Sequence, residues 1–449
     1  DLKSTGHIDG GANPLGADVS ANSDYLMLNR NEIGILEGLK AMKDAGEISG
    51  IVVVINSANP ISAAFLNDEA YGIDAALWIG SVGQTGLYAV GDILAGTVSP
   101  SGSLPDTWWT NNLLDPAMAN FGVYTYTNVG DYSYASSPSK FTSYVVYQEG
   151  IYVGYRYTET RYEDAVLGTA GVGDYVYDDV VAYPFGYGLS YTTFEMSDMR
   201  VEKTGEGMET EYTVTVTVTN TGDTAGKKAV QIYAQKPYTD YDRQNQIEKA
   251  SVELVGYGKT ALLEPGASET VTVSIPEYFL TSYDALGTGV YILDEGTYYL
   301  TAADNSHAAI NNILAVKGYT TADGMTAEGN TALVYETAYD FDAETYASAY
   351  GTGSQVTSLF AAADVNRYED KGDNSVTYLS RSDWEGTLML WGDTDADGEN
   401  DNYVRLSMTD QLYEDTILDG ADLPADDGDW PEMGSTDTNY NLIHLLEDE

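Results

Sequence analysis

The stretch Tyr183-Pro184-Phe185-Gly186-Tyr187-Gly188-Leu189-Ser190-Tyr191-Thr192-Thr193-Phe194 separates two kinds of sequence. Two glycines one residue apart, set among five aromatics, exclude a helix and let backbone approach backbone closely. Pro184 fixes its own φ and holds Tyr183 extended. The stretch predicts a rigid, aromatic-packed elbow that joins two layers.

Upstream the pattern is that of an α/β sheet. Residues 1–24 are polar and glycine-rich. Ile33, Ile35, Leu36, Leu39 and Met42 then recur at helical spacing, with Asn29 or Asn31 as N-cap and Gly46 as the stop. Gly50–Asn56 and Ile73–Ile79 are apolar runs that predict parallel strands buried on both faces. Asn59-Pro60 predicts a short helix over Ile61–Leu66, and a second helix follows the glycine turn, over Ala89–Leu94. The sum is an open α/β sheet. Gly80, Gly83 and Gly86 keep the spacing of a phosphate loop, but no Gly-Lys-Ser/Thr follows. Close packing of strand against helix accounts for them.

Downstream the pattern alternates. Tyr212–Thr219 reads apolar-polar without a break, as a half-buried strand does. Ala229–Ala234, Leu254–Tyr257, Glu269–Ile275 and Thr297–Ala302 continue it, separated by turns at Asn220–Asp223, Pro265-Gly266 and Asp294–Gly296. Short strands with regular turns give an immunoglobulin-like β-sandwich. Residues 319–449 are acidic and weakly periodic, and are expected to be partly extended or disordered. The chain therefore divides into an α/β domain over 1–125, an aromatic connection over 126–194, a β-sandwich over 195–318 and an acidic extension over 319–449.

A length of 449 residues calls for two to four domains. Lys and Arg number 20 against 70 Asp and Glu, a formal charge of −50, which argues against nucleic acid and anionic membrane as partners. Cysteine is absent, so disulfide and thiolate chemistry are excluded. His7, His307 and His444 are too scattered for a histidine-rich metal site. No apolar run reaches membrane-spanning length. Residue 1 is Asp, and the chain reads as cut or processed at its start.

Pro184 to Phe194 resembles the signature between the last two domains of glycoside hydrolase family 3, the β-glucosidase and β-xylosidase family. Trp78 to Gly86, Ala89, Ile93, Leu94, Gly96 and Pro100–Pro105 resemble its α/β sandwich domain, and Tyr147–Tyr157 resembles a stretch that recurs in the family. The resemblance implies that sandwich, followed by a fibronectin type III-like domain. It implies hydrolysis of terminal sugar bonds with retention of configuration, which needs two carboxyl groups about 5 Å apart. The family carries its nucleophile on a TIM barrel, a fold of about 200 residues or more that the pattern does not contain.

Ser382-Asp383-Trp384 matches the family's nucleophile triplet. In members with reversed domain order, however, a segment like Ser380–Thr387 leads into the barrel. Asp383 is accordingly read as linker, with nucleophile as the alternative. Asp1-Leu2-Lys3 would continue the acid/base segment Glu-Gly-x-Asp, although Leu2 stands where the family often has Arg. Both catalytic carboxylates are then expected outside the chain, which would be the non-barrel part of an enzyme and inactive alone. Glu149 and Arg156, both charged among aromatics, are expected to form a structural ion pair, with Glu149 as an acid of raised pKa the alternative. The aromatics between Tyr124 and Tyr157 could line a sugar site, with packing the role of most.

Asp393, Asp395, Asp397, Glu399 and Asp401 occupy alternate positions around Gly398, the spacing of a calcium loop, and make Ca2+ the one cofactor candidate. Val404 stands where a bidentate Glu belongs, and a solvated acidic turn is the competing reading. The expected partner is a glycoside or oligosaccharide, met through the parent enzyme, with a homodimer as a candidate assembly. A cell-surface module binding carbohydrate or calcium is the alternative function. Extracellular or cell-surface location is expected, with the cytoplasm as the alternative.

Overall fold

The computed structural model describes residues 26–83, 85–120, 124–131, 143–358, 364–388 and 405–416. They fall into two units.

The larger unit begins with helix α1, Arg30–Asp44. Asn29 is its cap: the side chain accepts from the amides of Asn31 and Glu32, and the Glu32 carboxylate accepts from the Asn29 amide at 2.8 Å. Strands β1 (Val52–Ile55) and β2 (Ala75–Trp78) pair in parallel, with Val52 opposite Ala75 and Ile55 opposite Trp78. Asp74 ties the layers together. It accepts from the Ile51 amide and from Lys43 of α1, both at 2.7 Å, and Lys43 holds its carboxyl below the usual range. Ile55, Leu36, Phe65, Leu66 and Trp108 form the local core.

Three expectations fail here: Ala75 and Ala76 of β2 are exposed and Leu77 and Trp78 only half-buried, so that strand is not buried on both faces. Val52 and Val54 remain 54% and 40% exposed, so β1 is covered on one face only. Alternation sends these two side chains opposite to Ile51 and Ile55, and no described residue covers that side. Ile61–Leu66 is not a helix either. Only a single 3-10 turn forms, at Ala64–Leu66. Helix α2, Leu87–Leu94, follows the glycine turn.

The elbow behaves as its sequence predicts. The Gly186 amide donates to the Leu104 carbonyl, and the Leu104 amide donates to the Tyr187 carbonyl, each at 2.8 Å. Gly186 has φ of 83°, and a Cβ there would lie 2.1 Å from Gln231 Oε1. A Cβ on Gly188 would lie 2.2 Å from the Gly102 carbonyl oxygen. Only glycine fits, because the 100–105 loop on one side and the β-sandwich on the other both close onto this backbone.

Helix α3, Tyr155–Leu167, precedes the elbow and the sandwich follows it. One sheet has the order β7-β4-β3, from strands β3 (Phe194–Thr204), β4 (Glu211–Asn220) and β7 (Ser268–Pro276). The other has the order β6-β5-β8-β9, from β5 (Ala229–Gln235), β6 (Glu253–Lys259), β8 (Gly296–Ala303) and β9 (Val334–Tyr339). Tyr212, Val214, Val216 and Val218 of β4 face Ile232, Ala234, Leu300 and Ala302 across the core. Helix α4, Ser306–Val316, packs on α3 through Tyr162, Ile310 and Ile313.

The all-β reading of 195–318 missed α4, and the aromatic reading of 147–157 missed α3. The extension past 318 is also more ordered than expected: it supplies the edge strand β9, and Tyr346 and Trp384 are fully buried.

The smaller unit is described over 124–131, 143–145, 364–376 and 405–416. Tyr124 pairs with Tyr144 and Thr125 with Ser143. Asn128 and Met408 exchange two hydrogen bonds, at 2.7 and 2.8 Å, and Asn374 does the same with Ser407.

Candidate functional site

Helix α3 carries the densest polar chemistry of the larger unit. Residues 157–164 are all buried on it, including Glu159, Arg161, Glu163 and Asp164. Buried charges need partners: Arg161 finds them nearby, in Tyr157 Oη at 2.7 Å and the Val172 carbonyl at 2.8 Å, and the three carboxylates find theirs further along the chain. Glu159 accepts from Tyr177 Oη at 2.8 Å and Ser306 Oγ at 2.9 Å, and meets His307 Nδ1 at 2.8 Å. Glu163 accepts from Lys317 at 2.7 Å, from Gln235 at 3.0 Å and from Arg381 at 3.3 Å. Asp164 accepts from Arg381 at 2.6 Å and from the Trp384 indole at 2.7 Å. Burial pushes the Glu163 carboxyl up, but Lys317 and Arg381 outweigh it and hold the group below its ordinary value.

Segment Ser380–Thr387 is therefore anchored. Trp384 packs edge-on against Tyr152 and Tyr157, with centroids 4.9 and 5.7 Å away. Glu248 accepts from Tyr152 Oη and Ser380 Oγ, each at 2.5 Å, and from the Arg381 amide at 3.1 Å. Asp383 lies beside buried Trp384 yet is itself exposed, as is Ser382 before it. Its carboxylate accepts from the Gly386 amide at 3.1 Å, capping the one-turn helix Trp384–Thr387.

A second group of carboxyls surrounds the short helix Pro116–Asn120. Burial pushes Asp115 up to about 7, and the negative charges of Glu149 and Asp106 push the same way. Burial also raises Glu149 and Asp106. Glu149 accepts from Asn120 Nδ2 at 2.8 Å. The expected ion pair with Arg156 is absent: the Arg156 guanidinium instead lies 3.5 Å from Glu253. Glu149 sits in the turn before α3, whereas Arg156 opens the helix and turns to the sandwich. Asp115 can hold a proton near neutral pH, which suits it to donate a hydrogen bond. Asp106 and Asp115 were not read as site residues from the sequence, because neither stands in a motif and only the fold brings them beside Glu149.

Among the aromatics, Tyr152 and Tyr157 are core residues and Tyr147 is 73% exposed. In the smaller unit the Tyr144 ring packs on Tyr124 and Tyr126, with centroids 5.8 and 4.8 Å away. Packing is thus the observed role of most of the described ones. Asp393, Asp395, Asp397, Glu399 and Asp401 lie outside the described residues. Among the described residues, no group of three or more His, Asp or Glu is placed to hold a metal ion, and no helix is long and apolar enough to cross a membrane.

Comparison with known proteins adds what this geometry does not carry. The glycosyl hydrolase family 3 C-terminal domain matches residues 29–155, and a fibronectin type III-like domain matches residues 228–306. Beta-glucosidase A of Butyrivibrio fibrisolvens is 31% identical over 299 residues, which is 63% of this chain and 31% of that protein. The exo-alpha-(1->6)-L-arabinopyranosidase of Bifidobacterium longum is 31% identical over 294 residues, 64% of this chain and 32% of that protein. A solved beta-glucosidase from Paenibacillus barengoltzii is 32% identical, with a TM-score of 0.47 over 60% of this chain and 25% of that one. The chain spans about a third of the length of the curated relatives it matches.

Proposed function

Because the chain carries the C-terminal-type domains of glycoside hydrolase family 3, we propose that it is the non-barrel portion of a glycosidase that removes terminal, β-linked sugars. The observation that supports this reading is the pair of domain matches in one chain, α/β sandwich before fibronectin-like sandwich, among relatives that are named glycosidases. In this reading the parent works by double displacement, with one carboxylate as nucleophile and a second carboxyl as acid and base. Both lie outside these 449 residues. Asp383 serves the fold through its cap rather than the reaction, and the substrate is a glycoside met by the parent at the cell surface or outside the cell.

The test is an aryl-β-glucoside assay on the purified 449-residue chain and on the same chain extended by its flanking coding sequence. The expected result is turnover by the extended protein only. Turnover by the 449-residue chain that disappears in Asp383→Asn, with thermal stability retained, would overturn the assignment of Asp383. A homodimer belongs to the same reading, and sedimentation equilibrium tests it.

A further inference from the structure

A half-open cavity of 340 Å³ lies where the end of α3, the loop after β5, β8 and the end of α4 converge. That volume suits a ligand of one sugar ring or less. Four of its fourteen lining residues are Lys or Arg: Lys236, Arg243, Lys317 and Arg381. The whole chain has only 20 Lys and Arg in 449 residues. The wall holds two carboxylates, Glu163 and Asp164, and both are already bonded to Arg381, with Lys317 on Glu163. A chain of net charge −50 has thus gathered two more positive than negative groups around one opening.

The carboxylates just outside the wall decide which of these cations is available. Lys236 is bonded to Glu253 and to the Thr281 carbonyl, both at 2.7 Å. Among the described residues, the one carboxylate that Arg243 meets is Asp240, at 3.0 Å, through Nη1. The Asp240 side chain is 91% exposed, so water and salt weaken that pair. Arg243 Nε and Nη2 make no hydrogen bond to a described residue, and Lys317 spends one of its three N–H donors on Glu163. The Tyr238 ring holds Arg243 in place, with that guanidinium 4.6 Å from its centroid and Arg381 at the same distance. Thr169 and Thr297 add hydroxyls to the wall.

We propose that this cavity binds a small hydroxylated anion, its carboxylate or phosphate taken by Arg243 and Lys317. Neutralising Glu163 and Asp164 does not account for Arg243, which touches neither. A fork of guanidinium N–H groups and an ammonium lining one cavity is the chemistry that recognises either anionic group. A sugar acid and a sugar phosphate share it.

The experiment is titration calorimetry of the 449-residue chain at low ionic strength with four probes: sodium glucuronate, glucose 6-phosphate, inorganic phosphate and methyl β-glucoside. At least one anionic probe is expected to bind, and methyl β-glucoside is expected not to. Glucuronate alone marks a carboxylate site, and binding of both phosphate compounds marks a phosphate site. Arg243→Gln should weaken the bound probe by about tenfold and Arg243→Glu should abolish binding. Lys227→Gln, an exposed lysine of the sandwich, should change nothing. Raising sodium chloride to about 0.5 M should weaken the interaction further. Arg243 is half-exposed, so the unfolding temperature of its variants should match the parent's and report an intact fold. Anions that bind no better than methyl β-glucoside, or binding that survives Arg243→Glu, would overturn the proposal.

Discussion

Strand β4 turns Tyr212, Val214, Val216 and Val218 to the core and its threonines to the outer face, whereas helix α3 buries Thr158, Glu159, Thr160, Arg161, Glu163 and Asp164 together. Both elements lie inside the larger unit, but they are held there differently. The strand needs only an apolar layer opposite it, and any side chains of the right size supply that. The helix needs named partners: His307 and Ser306 for Glu159, Lys317 and Arg381 for Glu163, Arg381 and Trp384 for Asp164. These partners lie 147 to 220 residues further on, and Arg381 and Trp384 share one short segment. The polar helix is therefore what ties the residues past the sandwich back to those before it.

The largest expected effect breaks that tie. Arg381→Met leaves Glu163 and Asp164 buried with less compensation and should cost about 3–5 kcal/mol in urea unfolding. Val216→Ala, in the apolar core, should cost about 2–3 kcal/mol. Equal costs would mean that the ion network contributes no more than ordinary packing. Adding Asp164→Asn to Arg381→Met should recover part of the loss, since one unpaired charge is removed, whereas adding it to Val216→Ala should not.

An effect of a few kcal/mol is expected from pH. Asp115, at about 7, and Asp294, which burial pushes up to about 6 against the pull of Lys249, both titrate above their unfolded value. The folded chain then binds protons that the unfolded chain has released. Their stabilisation is complete below about pH 4 and is lost as pH rises through 6 and 7. Glu163 runs the other way, because its folded value is lowered: its contribution is present above the unfolded value and is lost in acid. Urea unfolding followed from pH 4.5 to 8 should therefore show falling stability, with a shallower fall in Asp115→Asn. A flat profile in the parent chain would show that Asp115 and Asp294 titrate normally.

The same contrast explains what could be read from the sequence. The alternation of Tyr212–Thr219 gave β4 to within a residue at either end, and the paired glycines gave the elbow, because both are local rules. Helix α4 was legible and overlooked: Ala309, Ile310, Ile313 and Leu314 follow an Asn305 cap at helical spacing. Helix α3 was not legible, since a helix that buries its charges has no apolar stripe to display. Strand β9 was hidden by its acidic surroundings. For β1, a β-branched run implied two covered faces, and only the structure shows one. Of the candidate site, Glu149 was visible among its aromatics, while the push of Glu149 and Asp106 on Asp115 is a product of the fold.

The smallest expected effect separates the sandwich from the α/β layer, where β1 has an open face and α1 fully buries only Leu36. Asn29→Ala removes the acceptor for the Asn31 and Glu32 amides, and the loss of such a cap costs about 1 kcal/mol. A helix so lightly packed should open locally rather than with the whole unit. Hydrogen exchange of the α1 amides is therefore expected to speed up about fivefold, with the amides of β4 unchanged. Faster exchange in both would mean that α1 and the sandwich unfold together, and that the open face of β1 does not weaken the layer it belongs to.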